Sequence, residues 1–283
     1  MYDIAVLGGG PAGLSAAITA RARGKSVAVL SNDPAQSGLW RADRVDNYPG
    51  LPNVSGKELL ELMTQQAKEV GAEIIRARVT GMMDTGEGFM LNAGTDVFEA
   101  KTVIIASGVV SAAKFPGEAE YLGMGVSYCA TCDGMFYRSK KAAVIGRSAD
   151  APEEANALKE MGVDVFYTGM SKDRPEALSD NIPYIPAKKI EITGDTSVTA
   201  VVLDGERHEA DGVFILRQTV APTAIFPELE MEGGYIKTDR GMRTSAKGVF
   251  AAGDCTGKPL QIAKAVGEGL IAALSAVDYL SGK

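Results

Sequence analysis

The densest reactive stretch in the chain is Cys129-Ala-Thr-Cys132-Asp133-Gly134. Two thiols three positions apart can ligate a metal, lie as inert buried thiols, or cycle between dithiol and disulfide. A zinc site needs two further ligands, and only Cys255 and the single histidine, His208, remain, neither at ligand spacing. The separation lets the two sulfurs close a small strained ring, so a redox couple is the favoured reading. In such a couple a thiolate must attack. With no histidine nearby, the carboxylate of Asp133 is the available acid or base.

A second chemistry-bearing stretch is Gly8-Gly-Gly10-Pro11-Ala12-Gly13. A buried strand, Asp3 to Leu7, precedes it, and Leu14 to Arg23 follows with helical composition. Gly24 stops that helix and Ser26 to Ser31 forms another strand. Strand, glycine turn, helix and strand make a βαβ unit on a parallel sheet. In that context GxGxxG glycines let backbone approach a pyrophosphate, and the helix N-terminus supplies N–H groups and dipole. The acid expected at the end of the second strand is Ser31, and the nearest carboxylate is Asp33.

Other elements must position these stretches. Ser55-Gly-Lys-Glu58 is a capping box, and Leu59, Leu60, Met63, Ala67 and Val70 form the stripe of a packing helix closed by Gly71. A buried strand ends in Ala106-Ser107-Gly108, bringing bare backbone to the carboxyl edge of the sheet. The βαβ pattern then starts again, with strand Ala142 to Gly146, helix Ala151 to Met161, a stop at Gly162, and strand Val163 to Tyr167. Near the C-terminus, Gly248 to Asp254 is a strand ending in Gly253-Asp254, and Gln261 to Leu280 is a helix. The predicted fold is α/β, with two nucleotide-binding, three-layer Rossmann-like domains, the second inserted in the first. Residues 1–113 and 243–283 are expected to form the discontinuous domain, and 114–242 the insertion.

Composition bounds the partners. Acids outnumber bases 36 to 29 in 283 residues, a net charge of −7, which argues against nucleic acid or an anionic membrane. No apolar run reaches the length of a membrane span and no signal-peptide pattern is visible, so the expected location is cytoplasmic. Three cysteines cannot build an extracellular disulfide framework.

Over almost its whole length the chain resembles the low-molecular-weight thioredoxin reductases. The matching pieces are Gly8 to Gly13, Val45-Asp-Asn-Tyr-Pro-Gly50, Cys129 to Gly134, Gly248 to Asp254 and Gln261-Ile-Ala-Lys-Ala-Val-Gly-Glu-Gly269, in order and at matching spacing. The resemblance implies FAD on the discontinuous domain. It would be held by Gly8, Gly10, Pro11, Ala12, Gly13, Ser31, Asn32, Asp33, Leu39, Trp40, Val79, Ala106, Ser107, Gly108 and Gly253. It further implies Asp254 on the ribityl chain, Gln261, Ile262 and Ala263 at the far end of the flavin ring, and Asn47 near the ring. By the same resemblance Cys132 faces the flavin, Cys129 attacks the disulfide of thioredoxin, Asp133 handles the proton, and the protein is a homodimer.

Departures from the family pattern concern the electron donor. The second βαβ turn should carry Gly-x-Gly-x-x-Ala for NADPH, but reads Gly146-Arg147-Ser148-Ala149-Asp150-Ala151. Ser148 replaces the close-approach glycine, and Asp150 sets a like charge where phosphate would sit. The segment Tyr167 to Ser171 lacks the basic cluster for a 2′-phosphate. The family's later Gly-x-x-Pro-Asn reads Arg217-Gln218-Thr219-Val220-Ala221-Pro222. On the flavin side the usual Gly-Gly-Gln-Leu reads Gln36-Ser37-Gly38-Leu39.

These departures resemble the pyridine-nucleotide-independent, ferredoxin-linked flavin thioredoxin reductases, which implies reduced ferredoxin as donor. The alternatives are a drifted NADPH site, a deazaflavin-dependent or two-flavin relative, and a flavin redox sensor that does not turn over. Arg41, Arg44, Arg138, Lys140 and Lys141 could form a basic patch for an acidic partner. Cys255 is expected to be a buried structural thiol, and His208 a solvated residue at a hairpin tip. Trp40 is either core or a lid on the flavin.

Overall fold

In the computed structural model, residues 1–34, 37–108, 115–217 and 222–282 are described, residues 131 and 132 as backbone only. The chain divides into two compact units, Met1–Val110 with Thr219–Lys283, and Ser111–Gln218. The first unit opens with β1 (Tyr2–Leu7), α1 (Pro11–Ala22) and β2 (Val27–Ser31). Helix α1 begins at Pro11 rather than Leu14 because the proline ring presets φ for a first helical position. Helix α2 (Gly56–Glu69) carries the expected capping box: Ser55 Oγ accepts from Glu58 N at 3.1 Å, and Glu58 Oε2 accepts from Ser55 N at 2.8 Å. Strands β3 (Glu73–Arg76), β4 (Gly81–Asp84), β5 (Phe89–Ala93) and β6 (Asp96–Ile105) complete the N-terminal run.

The second unit contains β7 (Val126–Ser127), α3 (Ala130–Asp133), β8 (Lys141–Arg147), α4 (Ala151–Glu160) and β9 (Asp164–Thr168). An antiparallel layer of β10 (Ile190–Gly194), β11 (Val198–Leu203) and β12 (Glu206–Glu209) follows, then β13 (Gly212–Arg217). The central sheet runs β7-β13-β8-β9, all parallel. Alternation along its strands makes three layers. Val144, Val165 and Phe214 face α4 through Ala151, Ala155 and Leu158. Ala143, Ile145, Phe166 and Ile215 face the antiparallel layer through Ile192, Val201 and Leu203.

Back in the first unit come α5 (Pro222–Ile225), β14 (Met231–Glu232), β15 (Tyr235–Ile236), β16 (Val249–Ala251) and α6 (Ile262–Leu280). Its sheet runs β3-β2-β1-β6-β5-β4, with β16 also paired to β6. Ile4, Val6, Val27, Val29 and Ile104 face α1, α2 and α6, while Ala5, Leu7, Leu30, Val103 and Ile105 pack with Met82, Phe89 and Leu91. Thus each unit is a three-layer Rossmann-like α/β body.

Two expectations need correction. The sequence reading assigns 222–242 to the insertion, whereas that stretch groups with the first unit. The reason is apolar: Ile225, Phe226, Leu229 and Ile236 are buried in the first unit's core, with Phe226 edge-on to Phe89 at 6.3 Å. His208 is not solvated at a hairpin tip. The turn lies at Asp204-Gly205, both at positive φ, and His208 sits on β12 with its ring 5.9 Å from Phe166. Among the described residues no helix is long and apolar enough to cross a membrane.

Candidate functional site

In the first unit, β1, β2, β6 and β16 all end at one edge of the sheet, and the order changes direction at β1, between β2 and β6. A crevice at the carboxyl ends of parallel strands, where the order reverses, is where such sheets bind ligands. The glycine turn lies there. Gly8 has φ +118°, and a Cβ on it would overlap the Ala106 carbonyl; one on Gly13 would overlap the carbonyl of Gly8. Those two glycines serve the packing of strand, turn and helix. A Cβ on Gly10 would meet nothing within 4 Å, so this glycine borders open space instead. Helix α1 has no side-chain cap and no acid in its first turn, leaving its N–H groups and positive dipole end for an anion.

Beside the turn, Ser31 occupies the position expected for an acid. Its hydroxyl accepts from Gly9 N at 3.0 Å, so it holds the turn in place. Asp33 is turned to Arg76, 3.1 Å away in an exposed pair. Ser107, just past β6, has a buried hydroxyl oxygen without a hydrogen-bond partner among the described residues. An orphaned buried hydroxyl at the ligand edge fits a polar ligand that completes it. Asp254 is half-buried, and burial pushes its carboxyl above the ordinary carboxylate range, with Lys264 opposing and Glu268 adding to the rise.

The turn carrying Asp254 is held by a pair not singled out from sequence. Lys264 Nζ donates to Gly253 O at 2.7 Å, to Gly257 O at 2.7 Å and to Thr256 Oγ1 at 3.0 Å. Glu268 Oε2 lies 3.1 Å from that ammonium and accepts from Gly253 N at 2.9 Å and Thr256 Oγ1 at 2.8 Å. The spacing of four on a helix is the signal that could have found the pair.

The structure brings other expected residues together. Asn47 Nδ2 donates to Gln261 Oε1 at 2.8 Å, joining two loops at the start of α6, and Ile262 and Ala263 form its first turn. Leu39 and Trp40 pack against the helix-side core, and Lys57 Nζ lies 5.3 Å from the Trp40 ring centroid. Val79 differs: its side chain is buried in the opposite core with Leu30 and Met82. Gln36 lies outside the described residues. Gly10, Ser107, Asp254 and the bare end of α1 together fit the phosphates and hydroxyls of FAD.

In the second unit, Cys129 is disulfide-bonded, and the side chain of Cys132 lies outside the described residues. Ser127, at the end of β7, donates its hydroxyl to Asp133 Oδ2 at 2.7 Å and accepts from Cys129 N at 3.1 Å. The neighbouring Tyr128 donates to Glu118 Oε1 at 2.9 Å, and Glu118 also binds Arg217 and the Phe115 N–H. Burial alone would raise the Glu118 carboxyl, but these donors outweigh it and hold it low. Met135 and Phe136, directly after the motif, are exposed. Cys255 is fully buried with its thiol toward Ile105 O and Ala252 O, and burial pushes its pKa up to about 12, as suits an inert structural thiol.

The second strand–turn–helix differs from the first at the third position of its turn and at its helix end. Gly146, the counterpart of Gly8, is likewise close-packed: a Cβ on it would overlap the hydroxyl of buried Tyr167. Ser148 donates back to Leu216 O at 3.1 Å. Helix α4 starts with Asp150 at its cap position and Glu153 and Glu154 in its first turn. Arg147, in the turn itself, is turned to Met170. The stretch 218–221 lies outside the described residues.

Comparison with known proteins places this geometry. The family model described as pyridine nucleotide-disulphide oxidoreductase matches residues 2–269. A thioredoxin reductase of Aquifex aeolicus is 38% identical over 306 residues, covering 100% of this chain and 94% of the relative. A crystal structure of a ferredoxin-flavin thioredoxin reductase from Clostridium acetobutylicum superposes with a TM-score of 0.91 at 40% identity, covering 100% of this chain and 99% of the other. The atypical thioredoxin reductase TRi from Desulfovibrio vulgaris Hildenborough gives a TM-score of 0.75 at 31% identity, covering 100% and 99%. FAD is the cofactor of this class. A glycine turn built for a dinucleotide, a disulfide beside a carboxylate and a match across nearly the whole length lead to one conclusion: the chain belongs to the pyridine nucleotide-disulphide oxidoreductase family and is a homologue of the thioredoxin reductases.

Proposed function

We propose that this protein is a flavin thioredoxin reductase that takes electrons from reduced ferredoxin instead of a pyridine nucleotide, and that it works as a homodimer. The observation that carries the choice of donor is the second nucleotide turn. Ser148 replaces the close-approach glycine, and Asp150, Glu153 and Glu154 stand at the helix end. An acid at a helix N-terminus contributes about 0.3–1 kcal/mol of interaction with the dipole, and the same charge opposes an incoming phosphate. Each missing charge-assisted contact to phosphate removes roughly 1.5–3 kcal/mol. Together these amount to at least about a hundredfold in affinity.

The chain's own residues then divide the work. Gly10 and the N–H groups of α1 would take the FAD pyrophosphate, Ser107 and Asp254 its hydroxyl groups, and Gln261 to Ala263 with Asn47 the ring end. Bound FAD supplies a carrier that accepts electrons singly and releases them in pairs. Cys129, as thiolate, attacks the thioredoxin disulfide, Cys132 resolves the mixed disulfide, and Asp133 gives and takes the proton. Exposed Met135 and Phe136 offer an apolar step beside the disulfide for the partner. Exposed Arg138, Lys140 and Lys141 on this unit, and Arg41 and Arg44 on the first, are bases an acidic ferredoxin could meet.

Turnover tests the reading. Thioredoxin reduction should proceed with reduced ferredoxin and stay at background with NADPH or NADH, and Cys129→Ser should abolish it. Turnover with NADPH that matches the ferredoxin rate would return the protein to the drifted-site class. Turnover with neither donor would favour the redox sensor.

A further inference from the structure

We infer that Ser127 is a positioning residue for the proton transfer, its hydroxyl holding the Asp133 carboxylate against the Cys129 turn and following its protonation state. The inference rests on the role proposed above for Asp133. Ser127 is buried, and its oxygen sits at a junction. It receives the Cys129 N–H at 3.1 Å, and its single proton has two acceptors in reach, Asp133 Oδ2 at 2.7 Å and Cys129 O at 3.2 Å. The shorter contact belongs to the charged carboxylate, since an O–H donated to an anion is the stronger bond. Once Asp133 carries a proton, the serine O–H is free to turn to Cys129 O, and Asp133 can itself donate.

Reducing the disulfide breaks the S–S bond with two electrons from the reduced flavin. One sulfur becomes a thiolate, and the other takes a proton from Asp133, which is left as a carboxylate and recovers a proton from water. Ser127 stabilises that carboxylate product and keeps it aimed at the Cys129 turn. The remaining surroundings of Asp133 among the described residues are quiet. Tyr137 stays a neutral phenol, raised first by burial and then by Asp133 and Asp211, and Leu158 of α4 with Met161 just after it lie against the adjoining Gly134.

The pH profile of thioredoxin reduction separates this from a purely structural role, with electrons supplied by a chemical one-electron donor. A hydroxyl donated to the charged form lowers a carboxyl pKa. Ser127→Ala, which removes the hydroxyl 2.7 Å from Asp133 Oδ2, should therefore move the limb on which activity falls with rising pH to higher pH. Ser127→Thr, which keeps the hydroxyl, should restore the parent profile, and Asp133→Asn should abolish the limb. Should Ser127→Ala fail to retain FAD and fold, the near-isosteric Ser127→Cys, a weak donor, should shift the limb in the same direction. An unmoved limb in the serine variants, with the limb lost in Asp133→Asn, would overturn the inference alone. An unmoved limb in Asp133→Asn as well would overturn the acid role on which it rests.

Discussion

The two strand–turn–helix units of this chain share a backbone plan and differ in what stands at the mouth. At the first, Gly10 borders open space and α1 begins with no acid. At the second, Ser148 stands in the place of Gly10 and is turned back to Leu216, and α4 begins with Asp150, Glu153 and Glu154. The cores below are equivalent: a parallel sheet with helices on one face and antiparallel strands on the other. Architecture and ligand site are therefore separable. The apolar faces that build the unit lie along the strands, while binding depends on a few atoms at their carboxyl ends. Acids at a helix N-terminus even favour the helix itself, so a site can be closed at no cost to the fold.

The largest expected effect breaks the first turn from inside. A Cβ at position 13 overlaps the Gly8 carbonyl, so Gly13→Val should destabilise by about 3 kcal/mol or more. Thermal unfolding followed by circular dichroism should drop by roughly 6–12 °C, at 2–4 °C per kcal/mol. An unchanged melting temperature would mean that the close packing of turn on helix is not needed.

A smaller effect should separate fold from site. Gly10→Glu places on the first unit the kind of charge the second already carries, in space that is open and at an ordinary φ of −82°. Stability should change by no more than about 0.5 kcal/mol, while FAD affinity, read by fluorescence titration, should fall about 10- to 100-fold. Unchanged affinity would show that this helix end does not face the cofactor's phosphates.

Much of this contrast was legible in the sequence, because it depends on residue type at fixed spacing. Gly8 to Gly13, the capping box at Ser55, the Cys129–Asp133 cluster and the loss of glycine at Ser148 are all local. What was not legible depends on side chains meeting across the fold. Nothing local says that Tyr167 reaches Gly146, that Ser31 spends its hydroxyl on Gly9, or that Ser127 bonds Asp133. The assignment of 222–242 failed for the same reason. Its few apolar residues, Phe226 and Ile236 among them, carry no label of which core they join. His208 looked like a tip residue because the turn at Asp204-Gly205 comes earlier than its polar neighbours suggest.

The smallest expected effect concerns how firmly β1 is seated under the first turn. Burial alone would raise the Asp3 carboxyl, but Lys101 at 2.9 Å and the donors of Ser26 hold it at about 2. A value below the ordinary 3.8 means stability present above pH 4 and lost as pH falls toward 2. Asp3→Asn should therefore cost about 1–2 kcal/mol at neutral pH, allowing for partial exposure, and almost nothing near pH 2. Denaturant unfolding across that range would show it, and a cost independent of pH would contradict it.

The contrast between the two turns is tested most directly by anaerobic rapid mixing, with flavin absorbance as the signal. If Ser148 and the acids at the start of α4 exclude a dinucleotide as proposed, NADPH and NADH up to about 1 mM should bleach the flavin no faster than background, whereas reduced ferredoxin should bleach it rapidly and less so as salt is added. Fast, saturable bleaching by micromolar NADPH would contradict the account and make the second turn a working nucleotide site.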